Sequence, residues 1–366
     1  MFKKIFSVEK DDFHKIIRIF GIKISLANSN VFLPPARFMK KFPISNMFLF
    51  ENINKLTDEQ KIWYLSQRLY ESVGYFPNFK NPKTFNEKLN WMKINYYNPI
   101  EKICIDKCEF KKYIKEKLGD GYTIPLIGVY DDVNDIDFDS LPDKFVIKTT
   151  TNGDNEGILI VKDKKKLDIN ATKAEFNNLI QEWRKSYYTI MSAGYKEIKP
   201  RVLIEEYKEQ INGELIDYKF HCFHGEVKNV MAVNGRKGLS YKYRFFTPDW
   251  QPLDLYRNKK KELTDFDKPK NYEKMLELSK ILSKDFPFVR VDFYEVGDRV
   301  YVGELTFTPK GGCGKLTPVK WDYKMGEWLD LSKLNPEYLR IYPAFQENAK
   351  SFIDPKIVEE HSVNNP

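Results

Sequence analysis

Asp292 and Glu304 are two of the acidic residues in the segment FVRVDFYEVGDRVYVGELTF, residues 288–307. Alternating apolar and polar residues on both sides of a glycine-containing turn predict a β-hairpin. Because side chains alternate between faces along a strand, Asp292 and Glu304 share a face if the turn at 296–298 has an odd number of loop residues. They would then lie roughly 5–8 Å apart, where two carboxylates repel unless a cation lies between them. The competing interpretation is a solvated strand face whose charges have no role.

Arg290 and Thr306 extend this polar set along the same predicted hairpin. Oxygen ligands beside one guanidinium suit Mg²⁺ bridging a polyphosphate, with the arginine on a phosphoryl oxygen. A further pair, Asp217 and Lys219, stands two residues apart and therefore on one face of another predicted strand. These residue types point to phosphate and metal chemistry.

Two other segments offer contacts to phosphate and to a nucleotide. Lys148 ends the apolar strand KFVIK, and the polar loop TTTNGDNEG, which contains Gly153, follows it. Small residues with free backbone N–H groups can wrap phosphate oxygens, and a lysine beside them adds positive charge. The strand RVLIEEY ends in Glu205 and Glu206, which could face the edge of a base or a ribose. Each segment alone is also compatible with an ordinary hairpin.

The elements that must position these residues alternate between helical and strand patterns. Helical spacing of apolar residues predicts helices near 58–74, 84–96, 101–118, 171–187 and 271–284. Thr84 and Glu87 have the spacing of a capping box. Residues 215–233 predict a second hairpin that turns at His224 and Gly225. Mixed helices and antiparallel hairpins indicate an α+β fold.

Composition limits the classes of protein that the chain can belong to. The 366 residues suffice for two or three domains, and the hydrophobic content of 42% indicates a globular chain. No apolar run is long enough to span a membrane, and the charged start lacks the apolar stretch of a signal peptide, so we expect a cytoplasmic protein. Acidic clusters such as DDVNDIDFDS argue against binding of nucleic acid.

The cysteines and histidines do not predict a metal site. The four cysteines lack the paired spacing of a zinc site, and we expect them to be reduced thiols. His221 and His224 lie in an alternating strand pattern, DYKFHCFHG. A structural or substrate-contacting role is expected for them rather than metal binding.

The net charge of +8 is concentrated near the N-terminus, where residues 1–41 mix nine basic residues with Phe, Ile and Leu. Such a segment suits the surface of an anionic membrane. A solvated extension that packs on the main body explains the composition equally well, and the sequence leaves both alternatives open.

The order of these segments resembles that of the ATP-grasp ligases, such as the D-alanine–D-alanine ligases, over about residues 100–325. The resemblance rests on DKCEFKKYI with Asp106 and Lys107, TIPLIGVY, the lysine strand with its phosphate loop, IEEY, and the closing pair VRVDFY and GELTFTPKGG. PKTFNEKLNW, DYKFHCFHGE and WDYKMGEWLDL are similar to the TupA-like family of teichuronopeptide biosynthesis. That family is associated with bacterial surface polysaccharides and is often described as glycosyltransferases.

The resemblance implies two α+β subdomains that clasp ATP, with a helical and basic N-terminal extension. It divides the chain into a basic extension (1–60), a helical region (61–125), a small subdomain (126–204), a large subdomain with the metal site (205–345) and a polar tail (346–366). It implies ATP and Mg²⁺ as cofactors, and a carboxylate and an amine that are joined as an amide through an acyl phosphate. The basic extension would add peripheral association with the inner face of the membrane.

The resemblance also assigns roles to residues. Arg290 and Lys219 would act on the reacting groups. Nucleotide contacts would come from Lys107, Lys148, Gly153, Glu205, Glu206, Tyr207 and Asp217. The metal ligands would be Asp292, Glu304 and Thr306. The sequence departs from the family pattern where Thr306 replaces a metal-binding Asn, and where Thr149-Thr150-Thr151-Asn152-Gly153 replaces His-Gly-Ser-Gly after the lysine.

Three other functions stay open on the sequence. A glycosyltransferase would need a metal-binding acidic pair, and DIDFDS at 135–140 contains D-x-D, although its surroundings indicate a loop. A kinase on the same scaffold would stop at the phosphorylated product. Loss of metal binding through Thr306 and the altered phosphate loop would leave a catalytically weak ATP-binding protein. The sequence specifies neither the substrates nor the oligomeric state.

Overall fold

The computed structural model describes residues 6–10, 14–19, 22–27, 58–150, 157–190, 193–195, 198–208, 215–234, 242–257 and 264–363. The chain divides into two compact units. Residues 1–96 and 310–366 form one unit, and residues 97–309 form the other, which contains all the predicted site residues. No helix in the described part of the chain is long and apolar enough to cross a membrane.

Helices and strands alternate along the chain. The helices are α1 (Asp58–Val73), α2 (Phe85–Asn95), α3 (Pro99–Ile105), α4 (Glu109–Leu118), α5 (Ile169–Ile190), α6 (Tyr272–Ser283), α7 (Lys320–Trp328), α8 (Gln346–Ala349) and α9 (Pro355–Glu360). The strands are β1 (Phe6–Lys10), β2 (His14–Ile19), β3 (Ile22–Ala27), β4 (Leu126–Tyr130), β5 (Phe145–Thr149), β6 (Ile158–Val161), β7 (Val202–Glu206), β8 (Asp217–Phe223), β9 (Glu226–Asn234), β10 (Lys242–Phe246), β11 (Tyr256–Arg257), β12 (Phe288–Val296), β13 (Arg299–Thr306) and β14 (Leu316–Thr317).

A five-stranded antiparallel sheet, the large sheet, organises the unit 97–309 in the strand order β10-β9-β8-β12-β13. Alternation along β12 places Val289, Val291 and Phe293 on one face, where they are fully buried. Helix α6 packs on this face through Met275 and Leu278, which belong to the same apolar core. The opposite face, which we call the polar face, carries the polar residues of the hairpin.

A four-stranded antiparallel sheet, the small sheet, belongs to the same unit and has the order β4-β7-β5-β6. Ile147 of β5 and Ile204 of β7 pack with Phe176 of α5 on one face. Lys148 and Glu205 follow these residues by one position and therefore point to the other face. The period-two pattern thus separates an apolar core face from a charged face.

Helix α2 begins as the capping box predicts. Thr84 accepts a hydrogen bond from the backbone N–H of Glu87, and the Glu87 carboxylate accepts one from the backbone N–H of Thr84 at 2.9 Å. Burial raises the pKa of Glu87. Asn86 of the same helix donates a hydrogen bond to Asp322 of α7 at 2.8 Å. These contacts give PKTFNEKLNW a structural role within the unit formed by residues 1–96 and 310–366.

The prediction of one helix over 101–118 is wrong. Helix α3 ends at Ile105 and α4 begins at Glu109, and the backbone of Asp106 between them is extended. Asp106 Oδ1 accepts hydrogen bonds from the backbone N–H groups of Cys108 and Glu109, at 2.8 and 3.2 Å. An aspartate that bonds to nearby backbone in this way competes with a continuous helix.

Residues 6–27 contain three strands that were not predicted from the sequence. Strands β1, β2 and β3 form an antiparallel sheet in that order. The alternation of FSVEK and IKISLA is the period-two signal that could have indicated them. NSNVFLPPAR, predicted as a loop, lies outside the described residues.

Candidate functional site

Three charged residues form a registered row on the polar face of the large sheet. Asp292 of β12 pairs with Glu304 of β13 on one side and with Lys219 of β8 on the other. We call Lys219, Asp292 and Glu304 the acidic row. Arg290 and Thr306 are cross-strand partners two residues away on the same face. The predicted reactive and metal-binding residues are therefore brought together by strand pairing.

A β-bulge brings the two carboxylates opposite each other. The hairpin turns through the two residues Gly297–Asp298 and not through the odd number that the shared face was expected to need. If the strand pairing next to the turn continued without interruption, Gly303 would lie opposite Asp292. A register shift after Asp292 makes Glu304 its partner instead. The shared face is thus confirmed, although a bulge produces it.

Asp292 is 1% exposed and is held by two cations. It accepts hydrogen bonds from Arg290 Nε and Nη2, each at 2.6 Å. Lys219 also pairs with Asp292, and it donates a hydrogen bond to Asp217 at 2.5 Å. Burial alone would raise the pKa of Asp292, but the charges of Arg290 and Lys219 outweigh burial and lower the pKa. Asp292 is therefore a carboxylate at neutral pH.

The oxygen atoms around Asp292 fit Mg²⁺ that arrives with a nucleotide. The Glu304 side chain is 47% exposed, and its Oε2 lies 3.7 Å from Arg290 Nη2. Thr306 Oγ1 is buried and lacks a hydrogen-bond partner among the described residues. Within the same residues, no group of three or more His, Cys, Asp or Glu side chains could hold a metal ion on its own. Mg²⁺ commonly takes one or two carboxylates and completes its shell with substrate phosphates and water, as this donor set would require.

The small sheet presents a buried carboxylate between two lysines. Glu205 of β7 is 5% exposed, its Oε1 lies 2.6 Å from Lys111 Nζ, and its Oε2 pairs with Lys148 Nζ. Burial alone would raise the pKa of Glu205, but the charges of Lys148 and Lys111 outweigh burial and lower the pKa. With two lysines to one carboxylate, this group carries net positive charge beside the predicted phosphate loop.

Lys107 stands in the break between α3 and α4 and interacts with both sheets. Burial lowers the pKa of its ammonium group, and the charge of Glu304 on the large sheet raises it. On the small sheet, Lys148 lowers this pKa and Glu205 raises it. Lys107 therefore interacts electrostatically with charged residues of both sheets.

The other predicted nucleotide-binding residues lie at the edge of this region or outside the described residues. Glu206 pairs with Lys208 at 2.5 Å. The ring centroid of Tyr207 lies 5.8 Å from Lys144 Nζ. Gly153, with the central part of the phosphate loop, lies outside the described residues. The roles of these residues stay predictions.

The D-x-D sequence at 135–140 builds turns. Val133–Asp135 is a short 3₁₀ helix. Asp137 Oδ1 accepts a hydrogen bond from the backbone N–H of Asp139 at 3.1 Å, and its carbonyl accepts one from Ser140 Oγ. These residues are exposed apart from the apolar ones between them. The carboxylates thus serve local backbone structure, as the loop interpretation expects.

Two charged residues of this region were not predicted from the sequence. Lys111, which pairs with Glu205, lies four residues after Lys107, and this spacing could have indicated a second cation. Arg201 donates two hydrogen bonds to Asp106, at 2.9 and 3.1 Å, and so fixes the break between α3 and α4. No local pattern connects Arg201 with Asp106, because the two are distant in sequence.

Comparison with solved structures found ATP-grasp ligases of low similarity. The D-alanine–D-alanine ligase of Helicobacter pylori is 17% identical over 67% of this chain and 68% of that chain, with a TM-score of 0.38. The Bacillus anthracis D-alanine–D-alanine ligase with ATP is 15% identical over 72% of each chain, with a TM-score of 0.35. Phosphoribosylamine–glycine ligase of Thermotoga maritima is 14% identical over 60% of this chain and 52% of that chain, with a TM-score of 0.37. Comparison with curated proteins found no match.

The family assignment rests on a family model and not on these superpositions, whose TM-scores are low. The model described as "TupA-like ATPgrasp" matches residues 87–330, which is more than half of the chain. The match confirms the predicted α+β ATP-grasp fold. The family description also agrees with the predicted ATP-dependent ligase, for which ATP and Mg²⁺ are the expected cofactors. The chain therefore belongs to the TupA-like ATP-grasp family.

Proposed function

We propose that this ligase activates a carboxylate as an acyl phosphate and joins it to an amine in the synthesis of a bacterial surface polysaccharide. One observation carries the proposal: Arg290 lies beside Asp292 and Glu304 on one sheet, and Lys148 and Lys111 flank Glu205 on the other. Cations from both sheets, together with carboxylates on the large sheet, suit a polyphosphate with its metal ion.

In the first step, a carboxylate oxygen of the substrate bonds to the γ-phosphorus of ATP. The bond from that phosphorus to the β,γ-bridging oxygen breaks, and ADP leaves with the electron pair. Lys107, Lys148 and Arg290 offset the charge of the phosphate oxygens. Mg²⁺, when bound, neutralises charge that develops on the transferring group. The side chains that would hold it are Asp292, Glu304 and Thr306.

In the second step, the amine nitrogen bonds to the acyl carbon. The carbon–oxygen bond to phosphate then breaks, and inorganic phosphate leaves as the nitrogen loses a proton. Arg290 would stabilise the oxyanion of the tetrahedral intermediate, while Lys219 keeps Asp292 in place. Burial disfavours the charged guanidinium, but Asp292 outweighs this and raises the pKa of Arg290, which stays cationic.

The base of ATP would lie against exposed apolar residues of the small sheet. Leu126, Val129 and Ile160 are 38%, 40% and 42% exposed. The strand register places them on the same face as Lys148. An apolar surface beside a phosphate-binding lysine suits a flat aromatic ring. The remaining nucleotide contacts would come from Glu205, Glu206, Tyr207, Asp217 and Gly153.

The polysaccharide role follows from the family association, with a uronic acid or a similar compound as the carboxylate. The mixture of basic and apolar residues in 1–41 supports peripheral binding at the inner face of an anionic membrane. The enzyme would then meet its acceptor, a small molecule or a glycan, at the membrane surface.

The proposal is tested by the products formed from ATP. With Mg²⁺, a uronic acid and an amine, ADP and phosphate should form only when both organic substrates are present. Hydroxylamine in place of the amine should trap the acyl phosphate as a hydroxamate. ADP together with a stable phosphorylated product would identify a kinase instead. Release of a nucleoside diphosphate from a sugar nucleotide would identify a glycosyltransferase.

A further inference from the structure

Arg201, which directly precedes strand β7, is fixed to the end of strand β5 through its backbone. Its carbonyl accepts a hydrogen bond from the N–H of Thr150, and its own N–H donates one to Thr150 Oγ1, each at 2.9 Å. Since Thr149 pairs with Val202, these bonds continue the pairing of β5 with β7 by one residue. The position of Arg201 is therefore tied to the strand that carries Lys148.

The side chain of Arg201 reaches the start of helix α4. Its Nη2 donates hydrogen bonds to both carboxylate oxygens of Asp106, at 2.9 and 3.1 Å, and lies 3.4 Å from Glu109 Oε1. The side chains of Arg201 and Asp106 are only 18% and 8% exposed. Because charge-assisted hydrogen bonds are strong and these are shielded from water, the pair holds the start of α4 more firmly than a surface ion pair would.

This link determines the backbone on both sides of Lys107. Asp106 precedes Lys107 and is held by Arg201, while Cys108 follows it and donates its N–H to Asp106 Oδ1 at 2.8 Å. A residue whose two neighbours are held in place has little freedom in its own backbone dihedral angles. The direction in which the Lys107 side chain leaves the chain therefore depends on the pair of Arg201 with Asp106.

Lys107 and Lys148 belong to different elements, and their charges repel each other. Burial lowers the pKa of Lys107, and the charge of Lys148 acts in the same direction. Like charges move apart unless the protein or a bound anion holds them together. Lys111 of α4 opposes this separation, because it pairs with Glu205, the carboxylate that also pairs with Lys148. Arg201 supplies a further link between α4 and β5.

We propose that Arg201 is a positioning residue for the phosphate groups of ATP. Its backbone is bound to β5 and its side chain to Asp106, so that it sets Lys107 of the helix break against Lys148 of the strand. This inference rests on the proposed ligase function, in which the two lysines offset the charge of the phosphate oxygens. Arg201 acts through Lys107 and does not contact the nucleotide itself. Loss of the link should therefore weaken binding of the phosphates and leave binding of the base unchanged.

The full chain with Arg201→Met tests the inference. Methionine keeps the apolar stem and removes the guanidinium. By calorimetry with Mg²⁺, the affinity for a non-hydrolysable ATP analogue should fall by about tenfold, while the affinity for adenosine, which has no phosphate, stays within about twofold. A purely structural role would lower thermal stability without changing the ratio of the two affinities. An unchanged ratio in folded Arg201→Met protein would overturn the inference.

Two further variants make the comparison independent of stability. Arg244→Met is the matched control, since it removes an arginine side chain that is 16% exposed and paired with Asp265 in the same unit. It should keep the parental ratio, and an equal fall in both arginine variants would count against a specific role of Arg201. Asp106→Asn retains the Oδ1 acceptor for the backbone of α4 and removes the charge that Arg201 binds, so it should lower the ratio. If Arg201→Met fails to fold, an unchanged ratio in Asp106→Asn overturns the inference.

A double-mutant cycle separates an action through Lys107 from a direct contact. In a Lys107→Met background, Arg201→Met should change the affinity for the ATP analogue by no more than about twofold, because the side chain through which Arg201 acts is absent. Equal losses of about tenfold with and without Lys107 would mean that Arg201 contacts the phosphates itself, and its positioning role would be wrong.

The outcomes also separate this inference from the ligase function. A parent protein that binds the ATP analogue no more tightly than adenosine would refute the phosphate site, and with it the ligase function and the inference. If Lys107→Met weakens binding of the ATP analogue and Arg201→Met does not, the ligase function stands and the inference alone fails.

Discussion

Replacement of Lys148 by methionine tests the nucleotide site directly. Lys148 Nζ pairs with Glu205, and the lysine side chain is 16% exposed. Methionine retains most of the apolar stem and removes the charge. As a phosphate ligand, Lys148 would make charge-assisted hydrogen bonds that contribute about 1.5–3 kcal/mol. Since about 1.4 kcal/mol corresponds to a tenfold change in affinity, Lys148→Met should weaken Mg·ATP by about 10- to 100-fold.

The same substitution has a separate, structural consequence. Glu205 keeps Lys111 at 2.6 Å, so its buried charge is not left alone. We therefore expect the free energy of unfolding to fall by about 1–3 kcal/mol, less than the roughly 3–5 kcal/mol for an isolated buried charge. Adding Glu205→Gln should lower the free energy of unfolding further, because Lys111 then loses the carboxylate that balances its charge.

Calorimetry with Mg·ATP and urea unfolding measure the two effects. The control is Lys166→Met in the same predicted subdomain, because the Lys166 side chain is 85% exposed and its ion pair with Asp163 is a surface pair at 3.4 Å. Lys144 is a poorer control, since its Nζ lies 5.8 Å from the ring of Tyr207. A folded Lys148→Met protein with the parental affinity for Mg·ATP would refute the phosphate contact.

ATP should raise the melting temperature in the presence of Mg²⁺ and not in EDTA, because Asp292 and Glu304 face each other; equal thermal shifts would contradict their role as metal ligands. Glu304→Gln should lower turnover by about 100-fold or more in a folded protein, and an active variant would argue against the mechanism. The lowered pKa of Asp292 means that the unfolded carboxyl binds a proton more readily, so the free energy of unfolding should be level above about pH 4 and fall below it. Urea unfolding of Asp292→Asn should show a flatter pH dependence. Deletion of residues 1–45 should leave Mg·ATP affinity within a few-fold and reduce co-sedimentation with anionic vesicles; undiminished sedimentation would exclude a membrane role for this segment.

Local sequence patterns predicted the elements whose structure depends on residues that are close in sequence. Alternation predicted the β12–β13 and β8–β9 hairpins, and the spacing of Thr84 and Glu87 predicted the start of α2. The pattern failed at 101–118, where the Asp106 side chain bonds to the backbone and ends the helix. It also missed the bulge after Asp292, because a register shift depends on the partner strand as well as on the bulged one.

The sequence by itself determined the chemistry of this protein, since its residue types in their order predicted phosphate binding, Mg²⁺ and the ATP-grasp fold. Only the tertiary structure decided which charges meet. Glu205 pairs with both Lys111 and Lys148 because strands β5 and β7 and helix α4 bring the three side chains together. Arg201 pairs with Asp106, although the two are distant in sequence. These pairings are long-range: they depend on register and burial, which local spacing does not encode.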